Sequence, residues 1–202
     1  MAEDRTTLRT KILAARDSLS AEERQRKSRA ITKRLLTLPK FAAARSVFAY
    51  VSFRSEVETL PLIAHCLNRG VNTSVPLTLP AEHRLLAYAI TDPTRDLTPG
   101  YCSIPEPVQT LPLVDPASIE VVVMPGSVFD LRGGRLGYGG GFYDRFLQAA
   151  APQALRIGLA YDLQVIEAVP LENHDQPLDY LITETRTIHL ERKTPCAEKQ
   201  RS

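Results

Sequence analysis

Between Gly133 and Gly141 the stretch GGRLGYGGG places six of the chain's ten glycines within nine positions, and Phe142-Tyr143-Asp144-Arg145 follows directly. Glycine loses the most backbone freedom on ordering, so a cluster this dense marks either a disordered linker or a backbone that something must approach closely. The apolar run IEVVVMPG, residues 119–126, precedes it, and the amphipathic FYDRFLQAA follows it. A strand, a glycine-rich loop and a helix start together make a cradle for phosphate, because backbone N–H groups point inward and the helix dipole favours negative charge. A tight structural turn would use the same glycines. Neither familiar fingerprint is met: Phe142 stands where a Walker A loop needs lysine and where GxGxxG needs its third glycine.

Carboxylates flank the loop: Asp130 before it, Asp144 in the first turn of the following helix, and Asp175 and Asp179 in ENHDQPLD. A carboxylate beside a phosphate loop can hold Mg2+, which takes oxygen ligands and bridges to substrate phosphates. An Asp in a first helical turn can equally serve as a cap or compensate the dipole. The histidines show no HExxH or His-Cys spacing; His174, beside Asp175, is the one placed near chemistry, and His65 sits mid-helix. Ser127 lies outside a GxSxG elbow. Cys66, Cys102 and Cys196 are odd in number and show no CxxC spacing, which argues against a disulfide framework or a zinc site.

The elements that must position these groups follow from periodicity. Leu8, Ile12, Ala15 and Leu19 give residues 4–19 an apolar helical face, and Ser20-Ala-Glu-Glu23 is a capping box opening a second helix that runs to about Leu36. Strands are expected at 46–51, 71–76, 84–90, 119–126 and 155–161, with one or two more in YLITET and RTIHLE. A helix is expected over Thr59–Asn68, with Pro61 in its first turn and Gly70 past its end. Residues 91–118 read as Pro-rich and irregular. Alternating strands and helices around a strand apolar along its whole length predict one three-layer α/β/α domain with a mostly parallel central sheet and two N-terminal helices. The domain spans residues 1–192, with a flexible polar tail at 193–202. Ligands in such folds sit at the carboxyl ends of the strands, which is where the glycine cluster lies, so the linker reading fails.

Composition fits an ordinary globular chain: 202 residues, 44% hydrophobic, 24% charged, net charge +2. Basic and acidic residues interleave along the N-terminal helices, a pattern that fits solvated helices as well as a phosphate-facing surface. No signal peptide or bilayer-length apolar run is present in the sequence. The expectation is a soluble, cytoplasmic monomer with neither nucleic acid nor membrane as partner.

MPGSVFDLRGGRLGYGGGFYDRFL, residues 124–147, closely resembles the signature of the 5-formyltetrahydrofolate cyclo-ligase family. RTTLRTKILAARDSLSAEER, VFAYVSFRSEVET, GYCSIPEP and HDQPLDYLITE extend the resemblance over nearly the whole chain. It implies ATP- and Mg2+-dependent conversion of 5-formyltetrahydrofolate, polyglutamylated or not, to 5,10-methenyltetrahydrofolate. It further implies that Arg5 and Arg9 reach nucleotide phosphates and that Arg135, Leu136, Gly137, Tyr138, Gly139, Gly140, Gly141, Phe142 and Tyr143 cradle ATP. Asp144 and Asp175 match the magnesium positions. Val51 and Glu56 match the folate site, with Glu56 on the pterin N–H edge, and Tyr138, Gly140 and Phe142 lie between the substrates. Tyr143 and Arg145 are the expected catalytic residues. Tyr138 and Gly140 stand where some relatives carry Arg and Lys, and Arg145 is expected to compensate. Arg5 replaces a common Lys and Phe142 a common Tyr. A non-catalytic folate- or nucleotide-binding module of the same fold is the alternative. An enzyme of related architecture with a lysine base is disfavoured, because no Lys occurs between Lys40 and Lys193.

Overall fold

A computed structural model describes residues 4–190. Helix α1 (Arg5–Asp17) is capped by Asp4, whose carboxylate accepts the Thr6 and Thr7 amides, and α2 (Ala21–Leu36) opens on the expected Ser20–Glu23 capping box. The short α3 (Pro39–Ala42) leads into β1 (Ser46–Ala49). After α4 (Leu60–Asn68), β2 (Asn72–Leu79) and β3 (Arg84–Ala89) form a hairpin. The 91–118 segment is more ordered than its composition indicates. It holds a helical turn, α5 (Pro93–Asp96), and a ribbon of β4 (Leu97–Pro99) and β5 (Pro105–Pro107). Buried Glu106 ties this ribbon to β2 by accepting the Thr78 amide at 3.0 Å and the Tyr101 amide at 3.2 Å.

The remaining elements are β6 (Val121–Met124), β7 (Val128–Asp130), β8 (Arg135–Leu136), α6 (Phe142–Ala149), β9 (Leu155–Leu159), β10 (Val165–Ile166), β11 (Tyr180–Ile182) and β12 (Thr187–His189). Among the described residues the main sheet has seven strands in the order β12-β11-β9-β6-β1-β2-β3. Its five inner strands are parallel, and β3 and β12 pair antiparallel at the edges.

Alternation along each strand covers both faces. Val47, Ala49, Val121, Val123, Ile157 and Leu159 pack against α2 and α4 through Ile31, Leu35, Leu62 and Ile63. Phe48, Val122 and Met124 point the other way, onto Phe146 and Leu147 of α6. The expected α/β/α sandwich is therefore present, with one refinement. Helix α1 stands outside the layers: Leu8 and Ile12 pack on Val128, Leu136 and Val169 over a small sheet of β10, β7 and β8. That small sheet had no counterpart in the sequence reading. The tail at 193–202 lies outside the described residues, and among those described no helix is long and apolar enough to cross a membrane.

Candidate functional site

The glycine cluster divides into two devices. Gly133 and Gly134 form the β7–β8 turn, which the fully buried Asp130 organises by accepting the amides of Arg132 at 2.8 Å and Gly134 at 2.7 Å. A Cβ at Gly134 would lie 2.7 Å from the Asp130 carboxylate, so only glycine fits. Residues 137–141 are the loop proper. Gly141, at φ +62°, is the N-cap of α6, and no side chain caps this helix end. The first amides of α6 therefore have no side-chain acceptor, a condition an anion cradle requires.

Asp144 does not cap its helix. Both of its oxygens accept Arg135 Nη2 at 3.0 Å, and Oδ1 also accepts the Gln176 amide at 3.0 Å. Asp175 thus lies next in sequence to a residue bonded to Asp144. Its carboxylate holds Arg5 in a two-pronged contact of 2.9 and 3.2 Å, with Glu172 3.1 Å from the same guanidinium. Burial alone would lower the Arg5 pKa, but Asp175, Glu172 and Asp144 together raise it. Arg9 donates to the Gly137 carbonyl at 2.9 Å, which fixes α1 to the loop. His174 flanks the same group, 3.9 Å from Asp175.

A cavity of about 510 Å³ opens beside this cluster, a volume in the usual range for a small-molecule site. Val51, Glu56, Arg135, Tyr138, Phe142 and Asp144 all line it. The loop after β1 is cinched by Thr59, which donates to the Tyr50 carbonyl at 2.7 Å and accepts the Ser52 amide at 2.9 Å, and this sets Glu56 facing the cavity. Burial raises the Glu56 pKa, opposed by hydrogen bonds from Tyr138 and the Phe53 amide and by the charge of Arg16. The Tyr138 ring is half-exposed, yet its hydroxyl turns inward to Glu56, and desolvation with the neighbouring carboxylate raises its pKa far above the ordinary value. Desolvation, reinforced by Glu56, likewise keeps Tyr143 a neutral phenol; its ring lies 6.0 Å from the Arg135 guanidinium.

Several predicted residues take other places. Leu136 is fully buried in the small-sheet core, and its carbonyl accepts Ser127. Arg145 is exposed on α6 and donates to the carbonyls of Gly140 and His83, so it braces the loop from outside. Asp130 and Asp179 serve the fold; Asp179 accepts the Arg156 amide at 2.8 Å. Sequence reasoning missed several cavity residues, among them Tyr50, Phe53 and Arg16. Arg16 is buried and donates to Ser55 at 3.0 Å and to the Tyr138 hydroxyl at 2.8 Å. Its signal was available: Arg5, Arg9 and Arg16 share one side of α1 with Leu8 and Ile12, since eleven residues make about three helical turns.

A mostly parallel α/β sandwich, with a glycine loop and an open cavity beyond the carboxyl ends of its strands, has the architecture of α/β proteins whose small-molecule sites lie at that end of the sheet. The profile of the 5-formyltetrahydrofolate cyclo-ligase family matches residues 1–184. The protein of that name from Escherichia coli K12 is 32% identical over 173 residues, covering 85% of this chain and 95% of the relative. Its Haemophilus influenzae counterpart is 31% identical over 176 residues, covering 86% and 94%. The solution structure of Aquifex aeolicus 5,10-methenyltetrahydrofolate synthetase superposes with a TM-score of 0.81 at 33% identity, covering 97% of this chain and 98% of that one. The chain belongs to the 5-formyltetrahydrofolate cyclo-ligase family and is an enzyme.

Proposed function

We propose that the protein joins N10 of 5-formyltetrahydrofolate to the formyl carbon, giving 5,10-methenyltetrahydrofolate, while ATP becomes ADP and phosphate in the presence of Mg2+. The formyl oxygen leaves with the phosphate, and N10 loses its proton. The observation that carries this reading is one cavity walled by the Glu56 acceptor and by the Arg135–Asp144 pair beside the uncapped start of α6. The names of the relatives describe the same conversion from its substrate and its product.

The residues fit both added groups. Asp144 and Asp175 are hard oxygen donors joined through Gln176, a set that suits Mg2+, which keeps waters and phosphate oxygens as its other ligands. Among the described residues no cluster of three or more His, Cys, Asp or Glu could form an all-protein cage. Arg135 is buried with its Nε lacking a hydrogen-bond partner, a donor suited to an anion. When bound, ATP and Mg2+ supply a phosphoryl group that makes the formyl oxygen a leaving group, and the charge neutralisation that transfer requires.

The chain's own residues orient and enclose. Arg5, Arg9 and Arg135 offer cations to phosphate oxygens, together with the first amides of α6. Glu56 accepts the N–H edge of the pterin. Phe142 and Tyr143 wall the cavity against water, and the neutral Tyr143 phenol can donate a hydrogen bond at neutral pH. Arg145 supports the loop through the Gly140 carbonyl.

The test mixes purified protein with 5-formyltetrahydrofolate, ATP and Mg2+ and follows the ultraviolet absorbance of the methenyl product. A rise that needs all three, and is lost in Asp144→Ala while circular dichroism shows a folded protein, is the expected result. Saturable folate or ATP binding without turnover would replace this reading with the binding module.

A further inference from the structure

The contacts from Arg16 through Tyr138 to Glu56 have a direction. A guanidinium only donates. The Tyr138 oxygen therefore accepts Arg16 Nη1 at 2.8 Å, and its single O–H proton is committed to Glu56 Oε1 at 2.5 Å. The second carboxylate oxygen, Oε2, accepts the Phe53 amide at 2.9 Å. Each Glu56 oxygen is thus held by a donor fixed in the protein, an arrangement that suits the ionised form, and the lone pairs left over are available to the cavity that Glu56 lines.

Arg16 is itself anchored. Its Nε donates to Ser55, whose hydroxyl donates to Asp17. It is 4% exposed, so its geometry is set by packing as well as by polar contacts. The titratable groups facing Glu56 come from four elements: Arg16 from α1, Tyr50 after β1, Tyr138 from the loop and Tyr143 from α6. Arg16 is the cation among them, and desolvation keeps the three phenols neutral.

We infer that Arg16 is a specificity-determining positioning residue: acting through Tyr138, it fixes Glu56 as an acceptor-only fork, so that the cavity admits ligand edges presenting two adjacent N–H donors and excludes edges of similar shape that present an acceptor there. The choice of ligand edge rests on the folate reading above; the ordering of Glu56 does not. Arg16 touches no reacting atom in this scheme. Its effect is on which way one proton points.

The Tyr138→Phe variant tests this, because it keeps the ring and removes both hydrogen bonds. Arg16→Met is the companion, and Tyr138→Phe alone decides should Arg16→Met fail to fold. The first readout is the titration of the Glu56 side-chain carboxyl by carbon-13 NMR in ligand-free protein, with Glu56→Gln assigning the signal. Loss of one hydrogen bond to an ion should raise its midpoint by about one pH unit. The second readout is equilibrium binding of 5-formyltetrahydrofolate against its 2-desamino analogue. Wild type should discriminate by about tenfold or more, and Tyr138→Phe by only a few-fold. A merely structural role for Tyr138 would move neither the titration nor the ratio. A Glu56 midpoint unchanged in Tyr138→Phe overturns the inference. A shifted midpoint in a protein whose wild type binds no 5-formyltetrahydrofolate would support the ordering of Glu56 and remove the folate reading instead.

Discussion

Replacing Asp130 by Asn separates the carboxylate that builds the loop from those that face a ligand. Asp130 Oδ1 accepts the Arg132 and Gly134 amides, and Oδ2 accepts the Val169 amide at 2.8 Å. The side chain is fully buried, so no water can substitute. An Asn of the same shape has one acceptor oxygen. Its better orientation keeps the two turn amides and sets its NH2 group against the Val169 amide, donor against donor. That lost pairing costs about 1–3 kcal/mol, and each of the two retained bonds weakens by about 1 kcal/mol on losing its charge. The sum is roughly 3–5 kcal/mol. A chain of this length loses about 2–4 °C of melting midpoint per kcal/mol, so calorimetry should find Asp130→Asn melting roughly 10 °C below wild type. Well below that melt the ATP Michaelis constant should be unchanged, because Asp130 faces the turn and not the cavity. A midpoint lowered by less than about 3 °C would refute the accounting of buried donors. A normal melt with weakened ATP binding would mean that Asp130 belongs to the site.

Asp96 supplies a prediction in pH. Burial would raise its pKa, but the amides of Thr91 and Asp92, with Arg95 and the Thr91 hydroxyl, outweigh burial and bring it to about 2. Its folded value lies below that of an unfolded carboxylate, so its stabilisation is fully present above about pH 4 and is lost as pH falls through about 2. Urea titrations across that window should show roughly 2 kcal/mol of decline that Asp96→Asn lacks, and parallel curves would contradict the assignment. Arg145→Ala should raise the Michaelis constant for ATP by about tenfold with little change in melting, since the guanidinium holds the Gly140 and His83 carbonyls from the exposed side. An unchanged constant would leave Arg145 without a part in the loop's geometry.

The large features of the fold were legible because each has a strong local cause. Ser20 and Glu23 open α2 by reciprocal bonds, and the four apolar residues Val121–Met124, ended by Pro125, read as a strand buried on both faces. The β7–β8 hairpin was not legible. Its strands are three and two residues long, too short for any alternation to register, and its turn glycines merged with those of the ligand loop. The β4–β5 ribbon was hidden for a related reason, as it is anchored by Glu106, whose partners lie on β2 and at Tyr101. In the structure, Asp144, Asp175, Arg9 and the loop lie together. Leu136 turns into the small-sheet core and Arg145 meets the loop only from its exposed side, and a sequence window carries no record of which way a side chain turns. Arg16 belongs to an interleaved charge pattern that fits a solvated helix and a phosphate-facing surface alike, although it lies on the stripe of α1 that carries Leu8 and Ile12.

Helix α1, lying across the small sheet, meets the glycine loop and Asp175 through partners made far later. Arg5 and Asp175 are separated by 170 positions, Arg9 and Gly137 by 128, and Arg16 and Tyr138 by 122. At about 5–20 residues per second, a ribosome needs roughly 6–35 s to produce those partners after α1 has emerged. Throughout that interval Arg5, Arg9 and the Leu8–Ile12 edge stand without their docking surface, while β1 and β2 already have each other. The seating of this helix therefore waits on residues made long after it. Such long loop closures are slow, and the entropy of closing them falls on the step that completes the site rather than on the step that builds the sheet. The newborn chain carries this helix long before it carries the residues that anchor it.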